Sequence, residues 1–400
     1  MTSRRRSWRL LIAAVLLTAV AAGPQPAFAD PPAPVAQPAS SNPVAIATRT
    51  ARWQLARLND ASHVSRATGE TLKPRAWEQA VFWIGMTTLA DAGAPADIRE
   101  AIVAMGRRNR WMPGDLPFFA DDHAITQAYL WTASHGAGRE AIAPTQAAFD
   151  RVLTEQPRVS LAFYVPKAGY HATECLVRWC WCDALFMAPP AMLTLSRQTG
   201  DRRYRDHAMR EWWATTDFLY DPVERLYYRD SRFFERRDAR ERKLFWSRGN
   251  GWVFGGMARS IPLLEPDSDD GRRMIALFRD MATRLVELQK PDGYWPPSLL
   301  APEDSPPETS GTAFFTYGLA WGINAGVLDR ARFEPAARKG WDALLRAVQA
   351  DGKLGYVQQV SDRPEQVLAG DTQYYGVGAF LLAASEVAKL DAPRRQEQHR

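Results

Sequence analysis

The chain has 400 residues, 46% of them hydrophobic, with 15 tryptophans and a formal charge of +5. Its basic residues, such as Arg107-Arg108, Arg202-Arg203 and Arg236-Arg237, are scattered among acidic ones, which excludes the basic stripe that nucleic-acid binding needs. The three cysteines and six histidines show no paired spacing, no HExxH and no HxH, so neither a metal nor a cofactor is expected.

Residues 1–29 read as an export signal. Arg4, Arg5, Arg6 and Arg9 form a basic start, Leu10 to Ala22 an apolar core, and Ala27-Phe28-Ala29 a small-x-small cleavage site. The apolar run is too short to span a bilayer. Removing the signal deletes four arginines and takes the formal charge from +5 to about +1. An exported protein, periplasmic or secreted and without a membrane span, is expected. Residues 30–43 are Pro, Ala and Ser with few large apolar side chains and read as a disordered tether, and residues 391–400 as a polar tail. Between them, residues 44–390 form one body with no internal linker.

Apolar residues three and four apart predict amphipathic helices over Glu78 to Ala92, Ile125 to Ser134, Ala184 to Gln198, Tyr204 to Leu219, Arg272 to Gln289 and Tyr374 to Leu390. Alternating β-branched runs are scarce, so sheet should be minor. Asp with Pro or Gly, followed by an aromatic, recurs at Asp221-Pro222, Asp292-Gly293-Tyr294-Trp295 and Asp351-Gly352, a spacing that fits two helices and their loops. About twelve helices in pairs follow. An open solenoid would need more regular repeats and polar end caps. The expected fold is all-α, an (α/α)6 barrel or six-hairpin toroid, with the site at one mouth.

Arg178-Trp179-Cys180-Trp181-Cys182-Asp183-Ala184-Leu185-Phe186-Met187-Ala188-Pro189-Pro190 places one carboxylate in a Trp-rich apolar run. A buried Asp tends to hold its proton, which suits a general acid. Asp183 also reads as the cap of a helix that Pro189-Pro190 would interrupt. Cys175, Cys180 and Cys182 fit small buried hydrophobes better than a disulfide, although export permits one.

Phe245-Trp246-Ser247-Arg248-Gly249-Asn250-Gly251-Trp252 is the second informative stretch. Arg248 suits a carboxylate, Trp246 and Trp252 offer flat faces for a sugar ring, and Gly249 and Gly251 permit a sharp turn or close approach. A helix-entry turn with a surface Arg explains the same residues. In Asp121-Asp122-His123, Asp122 reads either as complementing a helix N-terminus or as a second carboxylate facing Asp183. Glu308-Thr309-Ser310 reads as a cap or a cleft wall.

The stretch Trp181 to Pro190 and the stretch Trp246 to Trp252, with Glu308-Thr309-Ser310 and Tyr374 to Leu381, resemble the unsaturated rhamnogalacturonyl hydrolases, glycoside hydrolase family 105. The resemblance covers roughly residues 75–390. It implies an (α/α)6 barrel that removes a Δ4,5-unsaturated galacturonyl residue from the non-reducing end of rhamnogalacturonan (pectin) fragments, an oligosaccharide substrate. The proton donor then falls on Asp183 and the second essential Asp on Asp122. The family's substrate-binding Arg and Trp fall on Arg248 and Trp252; Trp246, Trp181 and Met187 are expected beside them on the substrate. Where some members have a His, this chain reads Tyr227-Tyr228-Arg229-Asp230, and Arg229 is expected on the substrate. The alternatives are a family 88 unsaturated glucuronyl hydrolase acting on glycosaminoglycan fragments, which shares barrel and mechanism, and a non-catalytic carbohydrate-binding protein.

Overall fold

The computed structural model describes residues 42–60, 73–164, 174–303 and 305–391. The expected export signal, residues 30–41 of the expected tether and residues 392–400 of the expected tail lie outside them. The end of the expected tether belongs instead to the first helix, because Asn42 accepts from the Val44 N–H at 2.9 Å and Pro43 occupies the first turn.

Among the described residues the first seven α-helices are α1 (Pro43–Leu55), α2 (Trp77–Asp91), α3 (Ala96–Arg108), α4 (Ala120–His123), α5 (Thr126–Thr132), α6 (Arg139–Glu155) and α7 (Ala184–Met187). They are followed by α8 (Pro189–Thr199), α9 (Arg202–Leu219), α10 (Ser247–Ser260), α11 (Asp269–Leu288), α12 (Thr309–Asn324), α13 (Arg330–Ala347) and α14 (Tyr374–Asp391). The short α4 and α7 lead directly into α5 and α8. A two-stranded antiparallel sheet joins β1 (Tyr220–Asp221) to β2 (Leu226–Tyr227).

Six helices close a ring: α2 packs on α5, α5 on α8, α8 on α10, α10 on α12, α12 on α14, and α14 back on α2. Outside it, α1 lies against α14 and α2, α3 against α2 and α5, α6 against α5 and α8, and α9 against α8. The outer ring is completed by α11 against α10 and α13 against α12 and α14. This is the expected (α/α)6 barrel, with each outer helix followed in the chain by an inner one. The sequences differ accordingly. On α11 only Gly271, Met274, Phe278, Met281, Ala282 and Leu285 are buried, one face at helical spacing. On α12 the buried residues run almost without interruption from Thr309 to Ile323, as a helix packed on all sides requires. Where α14 meets α2, Gly85 faces the Gly378 backbone and Gly378 faces the backbone at Val81 and Phe82, and neither position leaves room for a Cβ.

The expected helix from Ala184 to Gln198 is two helices. Pro189 and Pro190 have no N–H to return to the carbonyls four residues back, so α7 stops at Met187 and α8 starts at Pro189. Gln127 satisfies what the prolines leave: its side-chain amide donates to Phe186 O at 2.8 Å and Met187 O at 3.1 Å. Arg259 Nε donates to Gln127 Oε1 at 2.7 Å and fixes which way that amide faces.

Candidate active site

Because outer and inner helices alternate, the inner helices run parallel and their N-termini gather at one end. Trp77, opening α2, stacks on Tyr375 in the first turn of α14 with centroids 5.0 Å apart. The Arg248 guanidinium, in the first turn of α10, lies 4.7 Å from that Tyr375 ring and 3.4 Å from Ser310 Oγ at the start of α12. Helix N-termini carry a positive field that favours negative charge; on α12 the buried Glu308 carboxylate already meets it, accepting from the Ser310 and Gly311 N–H groups at 2.8 Å each.

Asp183 stands at the cap position of α7, but its side chain makes no capping bond. Its Oδ2 lies 3.3 Å from Arg229 Nε, in an ion pair whose side chains are 12% and 8% exposed. Burial pushes the Asp183 carboxyl up, and the opposing charges of Arg229 and Arg248 do not cancel the effect. The Arg229 guanidinium lies over Trp181, 4.3 Å from the ring centroid, and its Nη1 donates to Asp230 at 2.9 Å. Phe119 and Phe163 pack on the same indole.

The Arg-Gly-Asn-Gly-Trp stretch opens α10, as the helix-entry reading has it, but Arg248 is buried, not on the surface. Its guanidinium donates to Gln358 O at 2.8 Å and Gln359 O at 2.9 Å, and Trp246 covers one face at 4.3 Å. Among the described residues no carboxylate forms an ion pair with it, and its Nε has no hydrogen-bond partner. A buried cation without an anion is costly unless an anionic ligand completes it. Gly249 and Gly251 have ordinary helical backbone, so close approach explains them, not a sharp turn. A Cβ on Gly249 would sit 3.1 Å from Trp246 Cε3 and 3.4 Å from Cys182 Sγ. Asn250 accepts from the Tyr227 N–H at 2.8 Å and donates to Tyr227 O at 3.0 Å, which ties β2, and Arg229 just after it, to α10.

The family model described as Glycosyl Hydrolase Family 88 matches residues 46–391, nearly the whole described body. The chain belongs to that family. It is a glycoside hydrolase, and the motifs behind the sequence resemblance all lie inside the matched span. A relative from Alteromonas sp. (strain LOR), an unsaturated 3S-rhamnoglycuronyl hydrolase, is 39% identical over 351 residues, covering 86% of this chain and 84% of that one. A protein of the same name from Formosa agariphila is 37% identical, covering 80% of this chain and 86% of its own. The solved structure of a family 88 glycosyl hydrolase from Bacteroides vulgatus is 28% identical with a TM-score of 0.71, over 85% of this chain and 99% of that one.

Within this family 88 barrel, the site residues expected from sequence separate into three groups. Asp183, Arg229, Trp181, Arg248 and Trp246 come together at the end where the inner helices begin. Trp252 and Met187 are buried in the core: Trp252 packs on Phe314 and Phe186 with centroids 4.5 and 5.1 Å away, so it backs the site as core packing. Asp122 does not face Asp183. Its Oδ2 accepts from the Leu116 N–H at 2.6 Å and braces the loop before α4. The carboxyl that feels Asp183 is the neighbouring Asp121, which burial first, and the Asp183 charge second, push well above the usual range. Successive residues on a helix point about 100° apart, so the Asp-Asp pair alone does not say which one turns inward.

Sequence reasoning missed Asp230 and the Gln358-Gln359 carbonyls. Backbone acceptors leave no mark on residue type, whereas Asp230 follows Arg229 directly and was open to inspection. Cys175 and Cys180 are joined in a disulfide, their Cα atoms 5.0 Å apart, against the expectation of three buried thiols. Cys182 alone is a buried thiol, 3.4 Å from Gly249 O. Among the described residues no His, Cys, Asp and Glu cluster could hold a metal, and no helix is long and apolar enough to cross a membrane.

Proposed function

We propose that this enzyme removes a Δ4,5-unsaturated uronyl residue from the non-reducing end of acidic oligosaccharides in which the uronate is linked to rhamnose, rhamnogalacturonan fragments being the class read from the sequence. One juxtaposition carries the reading: Asp183, a buried acid whose carboxyl burial raises, stands at the same end of the barrel as Arg248, a buried guanidinium with no carboxylate ion pair among the described residues. The relatives' names, each of an unsaturated rhamnoglycuronyl hydrolase, support the same chemistry.

An unsaturated uronate is an enol ether conjugated to a carboxylate. Asp183 donates its proton to C4, and positive charge develops at C5. Water adds there, the hemiketal opens, and the next sugar leaves. The anomeric carbon is not attacked, so the carboxylate spacing that sets stereochemistry in ordinary glycosidases has no bearing. Arg229 steadies the ionised Asp183 left after transfer, and the same carboxylate activates the water. Arg248 receives the uronate carboxylate, Trp181 and Trp246 wall the sugar, and Asp121, its carboxyl pushed up by burial, donates to a sugar hydroxyl in the place expected for Asp122. The protein acts outside the cytoplasm after export through residues 1–29.

The test is a panel of unsaturated disaccharides from rhamnogalacturonan, other rhamnose-linked uronates and chondroitin, followed by loss of conjugated ultraviolet absorbance. Turnover of a rhamnose-linked member with none of the chondroitin one is expected. Preference for the chondroitin product would replace this substrate class, and binding without turnover of any member would remove the enzyme reading.

A further inference from the structure

Asp230 is completely buried and surrounded by donors. Its Oδ2 accepts from Arg229 Nη1 at 2.9 Å and Arg232 Nη2 at 2.8 Å, and its Oδ1 from Arg232 N at 3.0 Å and Nε at 2.8 Å. Burial would raise this carboxyl, but Arg232 and Arg229 outweigh it and hold Asp230 below the usual carboxylate range. Arg232 is itself anchored, donating to Asp362 Oδ2 at 2.7 Å and lying 3.8 Å over Phe163. Arg229 therefore stands between two carboxylates at unequal distances, 2.9 Å to Asp230 and 3.3 Å to Asp183.

We propose that Asp230 is a positioning residue of this reaction: it competes with Asp183 for Arg229, so that the guanidinium steadies the ionised acid during turnover without stripping its proton in the resting enzyme. The inference rests on Asp183 being the proton donor. A guanidinium given wholly to Asp183 would tighten that pair and draw the proton off the acid. Asp230 acts through Arg229 and need not touch the substrate. The groups facing Asp183 are Arg229 and Asp230 after β2, Arg248 on α10, Asp121 on α4 and the Cys182 thiol beside it. Those facing Asp230 are Arg229 and Arg232, with Asp362 behind Arg232. Arg229 is the ion-pair partner the two carboxylates share.

The readout is the alkaline limb of kcat/KM in the full chain, followed by absorbance with an unsaturated uronyl disaccharide. Asp230→Asn releases Arg229 to Asp183, so the limb should move about one pH unit lower while activity survives in acid. Arg229→Gln should move it the other way. A limb that stays in place or rises in Asp230→Asn overturns the proposal, because a residue that only caps the turn at 231–233 would do that. Should Asp230→Asn not fold, the pair Arg229→Gln/Asp230→Asn removes opposite charges together and leaves no lone buried ion. Its limb should return close to the wild-type position, whereas a limb displaced as far as in Arg229→Gln alone overturns the assignment. Full activity of Asp183→Asn would sink the underlying reading instead, so the two failures are distinct.

Discussion

Arg229 Nε lies 3.3 Å from Asp183 Oδ2 while the same guanidinium rests 4.3 Å from the Trp181 ring. The acid of this site is thus buried beside a cation, and its proton affinity is the resultant of two opposed effects, burial being the larger.

That balance sets a pH dependence. A general acid works only while protonated, and the Asp183 carboxyl is raised from its ordinary 3.8. Turnover should therefore persist above that value and fall as the pH rises through the folded one. Asp183→Asn should lower kcat by roughly 10²–10⁴ and abolish the alkaline limb of whatever activity remains. Rates in a buffer series, read from the ultraviolet chromophore, check both, and wild-type turnover by the variant would take the role from Asp183.

Arg248 is assigned to the uronate carboxylate, and the substrate can be changed instead of the protein. Methyl-esterifying that carboxylate should cost the wild-type enzyme roughly ten- to hundredfold in kcat/KM, the loss of charge-assisted hydrogen bonds. Arg248→Met should lose a similar factor on the free acid and show little further loss on the ester. Equal sensitivity of both proteins to esterification would place the carboxylate elsewhere.

Asp121 bears on stability. Its carboxyl is raised in the folded protein, so the folded state binds the proton more tightly than the unfolded chain. Its contribution is complete below the ordinary value of 3.8 and is lost as the pH rises from there through the folded one. Asp121→Asn cannot ionise, so its melting temperature relative to wild type should climb as the pH rises from 4 towards 7, even as activity drops. Parallel melting curves across that range would show that Asp121 is not held protonated.

Gln127 tests how the helix bearing Asp183 is fixed. Gln127→Leu would leave the Phe186 and Met187 carbonyls without this donor and take from Arg259 one acceptor, Tyr317 remaining to it. A loss of about 2–4 kcal/mol is expected, since buried polar groups left unpaired cost about 1–3 kcal/mol each. Urea unfolding of the variant measures it, and a loss below about 0.5 kcal/mol would mean that water replaces the side chain.

Much of the barrel was legible in the residues alone. Helical spacing on α9, α11 and α14, the scarcity of alternating strands and the recurring Asp-Gly or Asp-Pro turns all pointed to paired helices. Asp183 and Arg248 stood out because a charged side chain inside an aromatic run is costly wherever the chain puts it. The break at Pro189 was equally local, since the missing N–H belongs to the residue itself.

Facing and partnership were decided only when the ring closed. Asp121 and Asp122 are chemically identical neighbours, and which one turns towards Asp183 depends on how α4 seats against α7 and α2. Arg248 binds backbone carbonyls 110 and 111 positions away, and every residue has a carbonyl, so no side-chain pattern marks them. Trp252 reads as a stacking face in the chain but lies against Phe186 and Phe314 in the core. Composition and spacing state what a segment must bury and where it must turn. Distances between segments arise from packing all of them at once, and the meeting of Asp183, Arg229 and Arg248 is a property of that packing.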